Sequence, residues 1–206
     1  MSNRNFLDRL FPPKYDFFNS LARQAQVNAL GVSALTDWLS GGGNRNETME
    51  QYRREANEIR LGLEKDLIAA FSTPIERGDL YLFSVDMDKV LEYVISTLLS
   101  MRDFGIEPDE TIKAMIGQLK MGVDRFCDAV KSLRSAPEAS EKLIPDMRSA
   151  HTAVEQLYRD GMAALFDHGD PMYALKLREV YHHIKDAAAN LDYSVDMMHR
   201  IIVGLT

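Results

Sequence analysis

The sequence predicts an all-α protein, a six-helix antiparallel bundle built from two repeated three-helix units. Three observations lead there. Apolar residues recur at steps of three and four along almost the whole chain, the spacing of helices with one buried face. Pro (7) and Gly (12) are few in 206 residues, while the strong helix formers Ala, Leu, Met, Glu, Lys and Arg are frequent. No segment alternates with period two over a strand's length, and no βαβ unit is visible.

The helices follow in order. Phe18, Leu21, Ala25, Ala29, Val32, Leu35 and Leu39 mark the first, which "GGGN" (41–44) ends, as glycines after a last turn do. The second runs from Met49 and Tyr52 through Leu67 to Phe71, and "STPIERG" (72–78) follows it. Thr73 precedes Pro74, which pushes it out of the α region and stops the helix about there. Gly78 offers a φ-tolerant position, and Asp79 is the expected N-cap of the third helix, Leu80 to Met101. These roles leave Arg77 unexplained; a pairing with Asp79 or another nearby acid would fix the turn.

"FGIEPDE" (104–110) turns the chain, with Pro108 near the start of the fourth helix, Ile112 to Leu133. "SAPEAS" (135–140) is expected as a loop. The fifth helix starts around Pro145 and runs from Met147 to Leu165; "DHGDP" (167–171) breaks it, and the sixth runs from Leu177 to Ile202. Short connections favour antiparallel neighbours, hence an up-and-down bundle.

Shifting the chain by 98 positions lays one half on the other: Met49 falls on Met147, Ala56 on Val154, Ile59 on Leu157 and Leu67 on Leu165. The reading is one helical domain over 1–206, with pseudo-repeats about 14–104 and 109–205. Hydrophobic residues make up 46% of the chain, enough for one sizeable core or two small ones.

Several function classes drop out. A formal charge of −7 with no Lys/Arg cluster argues against nucleic acid. The single cysteine, Cys127, excludes an intramolecular disulfide and CxxC sites, and reads as a packed, inert thiol. No apolar run approaches membrane-spanning length, and "MSNRNFLDRLFPP" lacks the apolar core of a signal peptide. A soluble, cytoplasmic protein is expected. There is no HExxH, nucleophile elbow, P-loop or GxGxxG after a strand, so no enzyme is expected.

Polar residues also share the repeat. Arg53 and Asn57 align with His151 and Glu155, and Asp88 and Glu92 align with Asp186 and Asn190. Residues four apart lie on one helix face, and two facing helices with acids at that spacing can gather oxygens around a metal ion. Asp88 and Glu92 are the oxygen ligands of the first unit. His151, Glu155 and Asp186 make a mixed N/O set in the second, with Asn190 as a weak fourth ligand. Such pairs equally form a solvated face. Arg53 would repel a cation, and adjacent His182 and His183 point about 100° apart on a helix.

The stretch "REANEIRLGLEKDLIAAFSTPIERGDLYLFSVDMDKVLEYV" (54–94) resembles the PhoU-like family, specifically its Pit accessory branch of phosphate-transport regulators. The resemblance rests on Phe71, Thr73, Pro74, Ile75, Arg77, Asp79 and Leu80, then on Asp88, Val90 and Glu92. "AVEQLYRDGMAALF" (153–166) and the helix after Pro171 look like a second copy, and the opening "FLDRLFPPKYDFFNSLARQAQ" looks like the branch's usual start. The resemblance implies two three-helix bundles and acidic faces that hold iron or zinc ions. It also implies a non-enzymatic adaptor contacting a Pit-type inorganic phosphate transporter, peripheral to the inner membrane through that partner. The chain departs from the family's acid pairs at Arg53 and Asn57, at His151 and at Asn190, which bears on metal binding and not on packing. Other readings are a ferritin-like metal-storing bundle and a structural dimeric scaffold; long helices and an acidic surface suit a monomer or a homo-oligomer.

Overall fold

The computed structural model describes residues 15–41, 46–165 and 170–205. Among them there is no strand. The chain forms helices α1 Phe17–Leu39, α2 Asn46–Ala69, α3 Arg77–Phe104, α4 Glu110–Ser132, α5 Pro137–Glu141, α6 Ile144–Leu165 and α7 Pro171–Leu205. Six are long. The short α5 lies where a loop was expected; Pro137 occupies its first turn, the one helical position that needs no N–H from proline.

Capping explains several of the boundaries. Asp16 caps α1 by accepting from the Asn19 N–H at 3.1 Å, and Asp109 caps α4 by accepting from the Ile112 N–H at 2.7 Å. The second Asp109 oxygen accepts the Tyr181 hydroxyl at 2.5 Å, tying this turn to α7. Burial and that bond push the Tyr181 phenol well above its usual range. Gly105 closes α3 in the left-handed region, φ 65°, which only glycine enters cheaply. Of the "GGGN" signal, Gly41 has φ 82°; 42–44 lie outside the described residues.

The α2–α3 connection departs from expectation in three ways. The helix ends at Ala69, so Phe71 has left the apolar face and stands 101% exposed. The third helix starts at Arg77, with Glu76 before it, so Asp79 sits in its first turn rather than at the cap. There a carboxylate favours the helix dipole. Arg77 does not pair with Asp79. Its Nη2 donates to the carbonyls of Ala70 (2.5 Å) and Phe71 (3.1 Å). These lie just past the last turn of α2, where carbonyls lack intrahelical donors. Arg77 is thus a long-reach C-cap. Arg77→Ala is expected to cost about 1 kcal/mol, lowering the melting temperature by about 2–4 °C, with Arg77→Lys in between. An unchanged melt would remove this role.

Helices α1, α2 and α3 pack on one another, as do α4, α6 and α7; the two sets meet along α3–α7 and α1–α4. Asp79, in the first turn of α3, meets Arg200 near the end of α7 at 3.1 Å. Asp16, before α1, meets Arg134, after α4, at 3.3 Å. Both seams are therefore antiparallel. One continuous apolar core spans both.

Polar groups inside that core are paired in the main. Gln24 Nε2 donates to the Ser84 carbonyl at 2.8 Å, and Ser84 Oγ donates back to Gln24 Oε1 at 2.6 Å. Asn28 Nδ2 donates to the Met87 carbonyl at 2.7 Å. These contacts set the register of α1 on α3, since a slip would strand buried donors at about 1–3 kcal/mol each. Cys127 is buried, and burial pushes its thiol up.

Candidate functional site

The aligned polar positions fall on facing helices. In the first unit Arg53 and Asn57 on α2 oppose Asp88 and Glu92 on α3, lining a cleft of about 170 Å³ with Leu91 at its base. The i, i+4 spacing on each helix puts both pairs at one seam. Arg60 stands behind the cleft's polar lining and contacts two of its residues. Arg60 follows Asn57 by three positions on the same face; its Nε lies 3.2 Å from Asp88 Oδ2, and its Nη2 donates to Asn57 Oδ1 at 3.1 Å. The Arg60 side chain is only 23% exposed.

Arg53 faces outward to Glu50, donating from Nε at 2.9 Å and from Nη2 at 2.5 Å. That pairing lowers the Glu50 carboxyl below its usual range and holds Arg53 charged, with the nearby Glu92 acting in the same sense on Arg53. Burial pushes the Asp88 carboxyl up; Arg60 draws it back, and the charge of Glu92 adds to the rise. Burial wins, so ionised Asp88 costs stability near neutral pH. That cost fades as pH falls through the raised pKa.

In the second unit the expected residues also meet across a seam, but with different partners. His151 Nε2 faces Glu155 Oε1 at 3.9 Å, while Nδ1 faces Asp192 Oδ2 at 3.7 Å. One ion cannot use both carboxylates through one imidazole, because the two ring nitrogens point in opposite directions. Asp186 is held by Lys185 Nζ at 3.2 Å and by His182 Nε2 at 3.9 Å. Asn190 is buried and its amide donates to the Asp186 carbonyl at 2.8 Å, so it serves its own helix. Among the described residues, no three His, Cys, Asp or Glu side chains gather to hold a metal ion.

Three participants were missed. Arg60 was visible as the i+7 continuation of the Arg53 and Asn57 face. Tyr158, 98 positions after Arg60, hydrogen-bonds His182 Nδ1 at 3.2 Å, and Lys185 Nζ lies 5.5 Å from the centre of its ring. Asp192 reaches His151 only because α6 and α7 cross where they do, and no local signal announces it. His182 and His183 diverge as their adjacency requires: His183 lies against Tyr93 of α3, ring centres 6.2 Å apart.

Another concavity, about 520 Å³, is an open groove at one end of the bundle between the start of α1, residues 69–74 and Arg134. No helix among the described residues is long and apolar enough to cross a membrane.

Three comparisons with known proteins bear on this site. No family model matches the chain. UPF0111 protein YkaA of Bacillus subtilis (strain 168) is 23% identical over 162 residues, covering 76% of this chain and 78% of that protein. The crystal structure of a PhoU-like protein from Shewanella oneidensis MR-1 superposes with a TM-score of 0.66 at 14% identity, over 91% of this chain and 95% of that one. A second crystal structure from that organism, of a proposed PhoU-like phosphate regulatory protein, gives 0.59 at 13% identity with the same coverage. The fold is the PhoU-like helical bundle.

Proposed function

We propose that this chain is a non-enzymatic regulator of phosphate transport, a helical adaptor that docks on the cytoplasmic face of a Pit-type inorganic phosphate transporter. The observation that carries the reading is the fold shared with a proposed PhoU-like phosphate regulatory protein over 91% of the chain. The "TPI-x-R-x-D" stretch, Thr73 to Asp79, supports the Pit branch. Its Arg77 and Asp79 hold the α2–α3 corner through Ala70, Phe71 and Arg200.

That corner also offers a contact surface. Phe71 is wholly exposed and Ile68 is 76% exposed beside it, and two large apolar side chains in water favour covering by a partner. A net charge of −7 disfavours adhesion to anionic lipid, so membrane attachment comes through protein. The ferritin-like alternative lacks a converging ligand set among the described residues.

The test is co-purification of the tagged chain with a Pit-type transporter from detergent-solubilised membranes, at high and low phosphate. Capture of the transporter is expected, with no binding to phosphatidylserine vesicles alone. Phe71→Asp with Ile68→Asp is expected to reduce capture about tenfold without lowering the melting temperature. Absence of the transporter at every phosphate level overturns the reading.

A further inference from the structure

We propose that the first three-helix unit carries an organic cation, the Arg60 guanidinium, where its acidic seam would otherwise take a metal, and that this seam is therefore closed to divalent ions. The inference does not depend on the transport reading.

The oxygens decide it. A metal bound between α2 and α3 would draw on Asp88 and Glu92 from one helix and on the Asn57 carbonyl from the other, because these are the oxygen donors lining the cleft. Arg60 engages one from each helix: Asp88 Oδ2 lies 3.2 Å from its Nε, and Asn57 Oδ1 accepts from its Nη2 at 3.1 Å. The guanidinium bridges the helices, with an ion pair to Asp88 and one directed N–H donor to Asn57 in place of ligand bonds.

Charge points the same way. Of the two carboxylates, Asp88 is already paired with the Arg60 guanidinium, and Glu92 feels the charge of Arg53 at the rim. Hard divalent cations need several anionic oxygens free of competing cations. Expelling Arg60 would leave the ion beside Arg53, which its own bonds to Glu50 hold at the rim. The second unit answers the same need with other nitrogens. Lys185 and His182 lie 3.2 and 3.9 Å from Asp186, and Tyr158, 98 positions after Arg60, hydrogen-bonds His182.

The experiment is metal analysis of protein purified without chelator, followed by titration with Zn²⁺, Fe²⁺ and Mn²⁺ and by melting with and without EDTA. Less than about one metal per ten chains is expected, with a melting temperature that EDTA leaves unchanged. Arg60→Ala is expected to acquire saturable Mn²⁺ binding at least about tenfold tighter than the parent, and adding Asp88→Asn is expected to abolish it. Arg60→Lys, which keeps a cation, is expected to gain none. Stoichiometric metal in the parent that disappears with Asp88→Asn overturns the proposal. So does a folded Arg60→Ala protein that binds Mn²⁺ no better than the parent. If Arg60→Ala fails to fold, the metal content and chelator response of the parent decide alone.

Discussion

Phe126→Ala is expected to destabilise the protein by about 3–5 kcal/mol, the largest loss from any single side-chain truncation proposed for this chain. Phe126 of α4 and Phe83 of α3 are both fully buried, with ring centres 5.7 Å apart at 73°. That edge-to-face contact joins the two three-helix units rather than helices within one. Truncation loses the burial of one ring and the aromatic pair, and leaves a void between elements already fixed by long seams elsewhere. Urea unfolding checks it: the midpoint falls, and an unchanged slope shows that the change is in stability alone. Phe126→Leu keeps most of the volume and is expected to lose less than half as much. A Phe126→Ala protein within about 1 kcal/mol of the parent would mean that the units repack freely around the site.

Gly122→Val is the second large effect. A Cβ at Gly122 would lie 2.9 Å from Leu191 Cδ2 and 3.1 Å from Ala150 Cβ. The leucine tip can swing away. Ala150 cannot, because its Cβ is fixed to the backbone of α6, so α6 itself must move off α4. Valine adds two further methyls to that contact. The expected cost is about 2–3 kcal/mol, after the few tenths that valine recovers over glycine in helix propensity. Gly117 on the same helix is the control: a Cβ there meets nothing within 4 Å, so Gly117→Ala is expected to stabilise by up to about 1 kcal/mol. Thermal melts of the two variants side by side separate backbone propensity from helix crossing.

The same contrast explains what could be read in advance. Three- and four-residue periodicity found Leu21, Leu35, Leu63, Leu80 and Met115, all buried, because a helix face is a local property. Periodicity misplaced Phe71, which keeps the spacing but follows the last helical residue. The charge of Arg77 points to acids as partners, but its partners are carbonyls left bare by a helix end. Asp79 finds Arg200 across 121 positions, and no local rule reaches that far. The acids of the candidate site were legible in position and not in company. Spacing brought Asp88 and Glu92 to one seam with Arg53 and Asn57. The partner of Asp88 is Arg60, seven positions after Arg53 on the same face of α2. His151 was legible as a polar seam residue, while its contact with Asp192 depends on the crossing of α6 and α7.

The α3–α7 seam has a bearing on how the protein is made. Helix α3 is complete once Phe104 has been synthesised, but the helix that covers its apolar side, α7, extends to Leu205. At about 5–20 residues per second, the interval is about 5–20 s. During it the nascent first half has no α7 to pack against α3. Arg200, near the end of α7, is among the last residues made, so its contact with Asp79 at the start of α3 forms only when the chain is almost complete.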